Sequence, residues 1–504
     1  MIRNRHAMVS RNVVSEVAIA IEKQRWKLIA CLVLPLTIGV AMAWGESGKS
    51  RMEVAVTAET EKAKDWEHQI AYQRGFEAVA WAMPAVSMMS MRDANFGLGG
   101  GYNTVYFMSQ PPTPQAEALT PNNQTPYTSI HMTTKQGPVV LDIPSASERT
   151  AIFGSAVDVW QVPVADIGPA GTDQGRGGRY LFLPPGYDGE VPDGFFVVPM
   201  ETYDIYVALR NIPLGDATFE EAAEYSRLIN AYPLSAAIEP PPGSYVDMFG
   251  KHLPTLPEYD MSYFDYIVEL VNNEPLLERD KVMGGMLASI GIARDVSFEP
   301  TGKLKAALQR AVKDSQAYLE YMFETPGYSM EAYWADRQWQ VPRQPSQDGF
   351  VFDEGEYLLL DSRSSLFHWA TFFPRHLGKA SAYLAGLRDG SGALLSGDGV
   401  YRLSVPANVP ARDFWSVIVY GKETKAFVYN DIGRVGLSSY DIDTLQVNED
   451  GSIDLHFGES ALIGKESNWI PTAGEDFFLL FRLYGPEEAY FDKSFTLPDI
   501  EKLN

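Results

Sequence analysis

A single cysteine, Cys31, occurs in 504 residues, and it lies inside an amino-terminal apolar segment. The rest of the chain can therefore form no disulfide and offers no thiol nucleophile. Basic residues are few beside acidic ones, 41 against 65, for a net charge of −24. A surface of that sign repels phosphate backbones and anionic headgroups, so nucleic acid is excluded as a partner. The seven histidines are scattered, so no short-range metal pair presents itself, and neither a metal nor another cofactor is expected. The catalytic signatures G-x-S-x-G, H-E-x-x-H and G-x-x-x-x-G-K-[ST], and a G-x-G-x-x-G between strand and helix, are all missing. There is no internal repeat and no low-complexity tract.

What is present begins with one apolar run. Lys23, Arg25 and Lys27 precede "LIACLVLPLTIGVAMAWG", in which Ala41-Met42-Ala43 has the pattern of a secretory cleavage site. The run is short for a bilayer span and Pro35 interrupts it, so residues 1–45 are read as a cleaved signal, with an inner-membrane anchor over 28–44 as the alternative. Cleavage would remove six basic and two acidic side chains and leave a net charge of −28 on a periplasmic or secreted protein.

The length and a 45% hydrophobic composition predict two or three globular domains. Residues 46–98 read as a linker followed by an amphipathic helix, with Tyr72, Phe76, Val79, Ala80 and Met83 at helical spacing and Pro84 ending or kinking it. Residues 99–215 hold short β-rich runs between prolines and glycines. Residues 216–394 read as helical. Thr218 and Glu221 form a capping box ahead of Ala222, Tyr225, Ile229 and Tyr232, a long helix carries Leu304, Leu308, Val312, Leu319 and Phe323, and an aperiodic crossing follows it. From 395 to 504 strands return, and Trp415, Val417, Val419, Phe477, Leu479 and Phe481 are the expected core. The fold class is thus α+β and multidomain, with two β-rich, sandwich or jelly-roll-like modules separated by a mostly helical middle.

Several stretches invite a functional reading. "NEDGSIDLHFGE" imitates a calcium loop, but Ile453 stands where a glycine is needed, and Asp450-Gly451 reads as a hairpin turn. The glycine-dense "GPAGTDQGRGGRYLFLPPGY" displays Asp173, Arg176 and Arg179, and its glycines serve a ligand or, more simply, tight turns. "LTPNNQTPYTSIH" offers Asn122, Asn123, Gln124 and Tyr127 on a proline-stiffened loop suited to a neutral polar ligand. "GKESNWIPT" sets Lys465 and Glu466 beside Asn468 and Trp469, and is read either as a corner whose polar groups bond their own backbone or as a lid over a pocket.

The motifs "YRLSVPANVPARDFWSVIVYG", "NEDGSIDLHFG", "GKESNWIPT" and "FRLYGPEEAYFDKSFTLPDIEKL" resemble a bacterial module, domain of unknown function 1214. "AYQRGFEAVAWAMPAV", "LTPNNQTPY" and "GPAGTDQGRGGRYLFLPPGY" resemble its usual companion, domain of unknown function 1254. The resemblance implies an exported protein with an amino-terminal β-rich module, a helical middle and a carboxy-terminal jelly-roll-like module, and it brings no established activity. The family has a carboxylate where this chain has Gln124 and an aspartate where it has Gly421, which puts an acid, base or cation role at those positions in doubt.

Two functions follow as expectations. The first is binding of a small polar or glycan-like ligand in a cleft between the modules, with Lys465, Asn468, Trp469, Arg179, Asn122 and Tyr127 as contacts. The alternative is a hydrolase or lyase with Glu466 or Asp158 as acid or base and Lys465 stabilising negative charge. A membrane contact is expected only through an uncleaved amino terminus, and homo-oligomerisation is left open.

Overall fold

The computed structural model describes residues 65–343, 352–371 and 381–503, so the expected export segment lies outside the described residues. Helix α1 (Trp66–Gly97) starts where the Asp65 carboxylate accepts the His68 amide at 3.2 Å. Pro84 does not end it. Proline removes one helical donor, and side chains from other elements donate to carbonyls nearby: the Tyr263 hydroxyl to Val79 at 3.1 Å, and the Arg363 guanidinium to Trp81. Residues 78–92 are buried on all sides, so the mid-helix is a core rod rather than an amphipathic one.

The amino-terminal strands are β1 (Thr104–Phe107), β2 (Tyr127–Thr133), β3 (Val139–Ile143), β4 (Thr150–Asp158), β5 (Pro163–Ile167), β6 (Gly178–Leu183), β7 (Phe196–Pro199) and β8 (Asp204–Pro213). After helix α2 (Phe219–Ser226) come β9 (Asn230–Pro233) and β10 (Ser244–Asp247). They form a six-stranded sheet in the order β10-β1-β2-β8-β4-β5 and a four-stranded sheet in the order β9-β3-β6-β7. Ile130, Val207 and Leu209 of the first sheet share one core with Leu141, Tyr180 and Phe182 of the second. The capping box at α2 forms in full: Thr218 Oγ1 accepts the Glu221 amide at 3.2 Å, and Glu221 returns the bond to the Thr218 amide at 2.7 Å. The helical spacing then stops. Tyr232 belongs to β9, opposite Val140, because the strand pairing of an open sheet edge outweighs a weak local period. The amino-terminal sheets accordingly take two strands from beyond residue 215.

Helices α3 (Ser262–Asn273), α4 (Lys281–Ala288) and α5 (Gly302–Glu324) follow, then strands β11 (Met330–Ala332) and β12 (Gln340–Pro342) and helix α6 (Leu360–Trp369). All four of these helices pack on α1. The stretch expected to be an irregular crossing thus supplies β11 and β12 and most of a small hairpin, Asp353–Glu354 with Tyr357–Leu358, all too short to carry a readable period. The remaining strands are β13 (Ser381–Gly386), β14 (Val400–Val405), β15 (Ala411–Gly421), β16 (Gly436–Ser438), β17 (Ile453–Gly458), β18 (Trp469–Pro471), β19 (Phe477–Pro486) and β20 (Glu501–Leu503). They repeat the plan of the first module: a six-stranded sheet, β11-β12-β13-β19-β15-β16, and a four-stranded sheet, β18-β17-β14-β20.

The strand β19 shows how this module is placed. Phe477, Leu479, Phe481 and Leu483 enter the core shared with the four-stranded sheet, together with Trp415, Val417 and Val419, as expected from the alternation. Phe478 and Leu480 on the opposite face enter the helical core with Phe323 and Trp369. Both faces of this sheet are therefore covered. The turn at Asp450-Gly451 forms, with Gly451 at φ 82° and its amide bonded to the Asn448 carbonyl at 2.9 Å, but it leads into β17 from irregular chain, so it closes no hairpin. Among the described residues no helix is long and apolar enough to cross a membrane.

Candidate functional site

Alternation along two strands builds the site. On β8 the side chains of Ile205, Val207 and Leu209 point into the amino-terminal core, which turns Tyr206, Ala208 and Arg210 outward. On β19 the same alternation turns Arg482 and Tyr484 away from the carboxy-terminal core. These outward groups meet at a cavity of about 920 Å³. Its walls come from both six-stranded sheets, from the loop before β2 and from the end of α1. Met91, Met108, Leu119, Met248 and Leu253 give it an extended apolar side.

The loop "TPNNQTPY" ties the two modules together beside this cavity. The Thr120 amide donates to the Lys425 carbonyl at 2.8 Å, its hydroxyl to the Trp369 carbonyl at 3.2 Å, and its own carbonyl accepts from Arg482 at 3.1 Å. Thr120 sits at φ 41°, a conformation that a β-branched residue adopts only when its surroundings impose it. The Pro121 carbonyl accepts from the buried Tyr420 hydroxyl at 2.6 Å. Asn122 is buried: its amide N–H donates to the Tyr127 hydroxyl at 3.0 Å, its side-chain nitrogen to the Tyr484 hydroxyl, and its side-chain oxygen accepts the Gln124 amide at 3.0 Å. Asn122 is thus a strut behind the wall, while Tyr127 lines the cavity itself.

Two guanidinium groups converge here. Arg210 lies 4.4 Å from the Tyr127 ring centroid and donates to Thr125 Oγ1 at 2.9 Å. Arg482, only 3% exposed, lies 5.4 and 5.5 Å from the Tyr420 and Tyr383 rings. Burial works against its charge, but the phenols of Tyr420, Tyr484 and Tyr383 outweigh that and hold it above the ordinary arginine value. Burial also pushes the Tyr484 phenol up, in spite of both arginines, so it stays protonated and can donate. No reading of the sequence singled out Arg210 or Arg482. The available signal was an arginine interrupting an otherwise apolar strand, in "YVALRNIP" and in "FFLLFRLYG".

The other sequence candidates lie elsewhere. Arg179 stacks its guanidinium 4.5 Å from the Phe195 ring, on β6 of the four-stranded sheet. The glycine-rich passage before it is a set of turns, in which the buried Asp173 accepts the Gly168 amide at 2.7 Å, the Gly177 amide at 3.2 Å and the Tyr180 hydroxyl at 2.9 Å. Asp158 closes the tight turn from β4 to β5, accepting the amides of Trp160 and Val162 at 2.9 Å each. Its pKa is pushed up to about 6, by burial above all. None of these groups lines the cavity.

"GKESNWIPT" is a corner. Asn468, buried, accepts the Gln446 amide at 2.8 Å and donates to the carbonyls of Gln446 and Asp454 at 2.9 and 3.0 Å. Trp469 donates to the Gly458 carbonyl at 2.9 Å, and Arg434 holds the carbonyls of Glu466 and Trp469 at 2.8 Å each. Glu466 accepts the Gly464 amide at 3.0 Å, and Lys465 reaches Gln446 at 3.1 Å. The expected lid over a shared pocket is absent from this geometry. Asn468→Ala should cost about 2–3 kcal/mol, since it leaves buried backbone groups unpaired, whereas Lys465→Ala should change stability by less than about 1 kcal/mol. Urea unfolding of both variants checks this, and the reverse order would refute the corner.

Two sequence families match the chain. Residues 102–233 match "Protein of unknown function (DUF1254)" and residues 380–488 match "Protein of unknown function (DUF1214)". The chain carries the pair, in that order. The DUF1254 match covers β2, β4 and β8 with Arg210, and the DUF1214 match covers β13, β15 and β19 with Arg482, so each matched region contributes one of the two arginines. Among solved structures, the VPA0106 protein of Vibrio parahaemolyticus is 16% identical, over 86% of this chain and 100% of that one, with a TM-score of 0.51. That likeness concerns the fold. An uncharacterized protein of Burkholderia cenocepacia is 11% identical over 87% of this chain and 95% of its own, with a TM-score of 0.37. No curated protein matches the chain.

Proposed function

We propose that this protein binds a small organic ligand in the cavity between its DUF1254 and DUF1214 modules, each read as jelly-roll-like, and that residues 1–45 direct its export so that the ligand is met outside the cytoplasm. The observation that carries the reading is the cavity itself. At about 920 Å³ it is of the size of small-molecule sites, and it combines an apolar side with a few converging polar groups. The catalytic alternative gains nothing from the geometry, since Glu466 serves the corner at Gly464 and Asp158 the turn at Trp160.

Native mass spectrometry of the exported protein, purified from its own envelope and compared with its denatured mass, should show a retained ligand. Ala208 is 6% exposed and lines the cavity, so Ala208→Phe fills space without removing a polar group. The variant should unfold at a similar temperature and lose the extra mass. Equal extra mass on the variant would place the ligand elsewhere, and its absence from both proteins, with no response of either to added compounds, would remove the reading.

A further inference from the structure

We infer that the ligand of this cavity is an amphipathic organic anion, with an oxyanion head of carboxylate, sulfate or phosphate type between Arg210 and Arg482 and an apolar body along the methionine and leucine side. This rests on the binding reading above and deepens it.

The argument starts from what surrounds the two guanidinium groups. Buried charges in proteins are ordinarily paired. Here the acids on the same cavity are engaged with other groups: Asp413 with Arg412 at 2.8 Å, and Asp166 with the Ser155 hydroxyl at 2.8 Å. Among the described residues no carboxylate forms an ion pair with Arg210 or Arg482. Their neighbours are instead the side chains of Tyr127, Tyr383, Tyr420 and Tyr484, and the charge of Arg482 acts unfavourably on Arg210. Two like charges thus share one cavity without a carboxylate partner among the described residues.

A purely structural task accounts for part of this only. Arg482 Nη2 pins the Thr120 carbonyl, but Nη1, also buried, has no acceptor among the described residues. Arg210 spends one nitrogen, Nη1, on Thr125 and lines the same cavity. A planar fork with free donors matches an oxyanion in two-point contact, and phenol hydroxyls add neutral donors without competing negative charge. The net charge of −24 makes the pair more distinctive, because the protein as a whole repels anions and only a local arrangement of this kind can hold one. Beyond the head, Met91, Met108, Met248 and Leu253 offer no polar partner, and adaptable methionines suit an apolar chain or ring.

Octanoate, octyl sulfate and octyl phosphate serve as probes, with octylammonium and the neutral octyl glucoside as controls, titrated into the full-length exported protein by calorimetry. The anions should bind and octylammonium should not. Arg482→Gln should weaken the best anion by about tenfold or more, as expected on losing a charge-assisted contact. Because Arg482 also supports Thr120, Arg210→Gln is the second variant: it gives up Thr125 and the face of the Tyr127 ring but no backbone contact, should unfold close to the wild-type temperature, and should weaken the same probe similarly. Preference among the three heads names the oxyanion. Equal binding of octyl glucoside, with no loss in either variant, would overturn the anion while leaving the cavity reading in place. Retention of a neutral native ligand would do the same, and failure of every probe together with an empty native protein would overturn both.

Discussion

Lys425→Met is expected to destabilise the protein by about 3–5 kcal/mol, the cost of leaving a buried partner charge uncompensated. The Lys425 side chain is 1% exposed, and its ammonium contacts both oxygens of Glu320, at 2.7 and 2.9 Å, as well as the Lys422 carbonyl. Glu320 in turn bonds His368 at 2.8 Å, and His368 bonds the Tyr259 hydroxyl at 2.7 Å. Methionine keeps the length of the lysine stem but removes the ammonium that lies 4.6 Å from the Phe323 ring centroid, and it leaves the Glu320 carboxylate with histidine alone. Burial outweighs the carboxylates around Lys425 and holds its ammonium below the ordinary lysine value. For Glu320 burial acts upward, yet His368 and Lys425 outweigh it, so that carboxyl sits below its ordinary range. The geometry, with Nζ on both oxygens, is that of a charged pair at neutral pH.

A lowered carboxyl contributes stability that is present above the unfolded glutamate value, about 4.3, and lost as pH falls through the folded value. Without Lys425 the sign turns. Burial then favours protonated Glu320, and the deficit of the variant should be largest near neutral pH and shrink towards pH 4. Urea unfolding of both proteins between pH 4 and 7.5 reads this directly. A Lys425→Met protein as stable as wild type across that range would show that the pair is not a buried support. The consequence reaches the cavity, because the backbone carbonyl of Lys425 accepts the Thr120 amide at 2.8 Å.

Phe481→Ala should also cost about 3–5 kcal/mol, the range for removing a fully buried phenylalanine. Phe481 is 0% exposed at the centre of β19, its ring centroid 5.7 Å from Trp415 and 6.5 Å from Trp339. Those neighbours lie on β15 and just before β12, so the space cannot close without moving the strands that present Arg482. Guanidinium chloride unfolding should show a lower midpoint with an unchanged slope, and binding at the cavity should weaken in parallel. A loss below about 1 kcal/mol would mean that the site relaxes freely and that this core does not hold the two sheets together.

The sequence by itself determined the local events. The alternation in "FFLLFRLYG" assigned Phe477, Leu479 and Phe481 to a core, the capping box set the start of α2, and the motifs named the two families. Each is legible because its cause lies within a few residues: a strand period, a side chain reaching the amide three positions on, a turn glycine at positive φ. The same locality misled where tertiary contacts decided. Pro84 stays inside a helix whose surroundings support its carbonyls. Tyr232 pairs in a sheet rather than continuing a helix. "GKESNWIPT" spends its amide and indole on the Gln446, Asp454 and Gly458 carbonyls, partners that no local pattern reveals. Alternation says that Arg210 and Arg482 leave their own cores, but not what they meet outside. That was decided only by packing, because the loop through Thr120 and Pro121 draws the outer faces of two six-stranded sheets around one cavity, and like charges from distant strands become neighbours there.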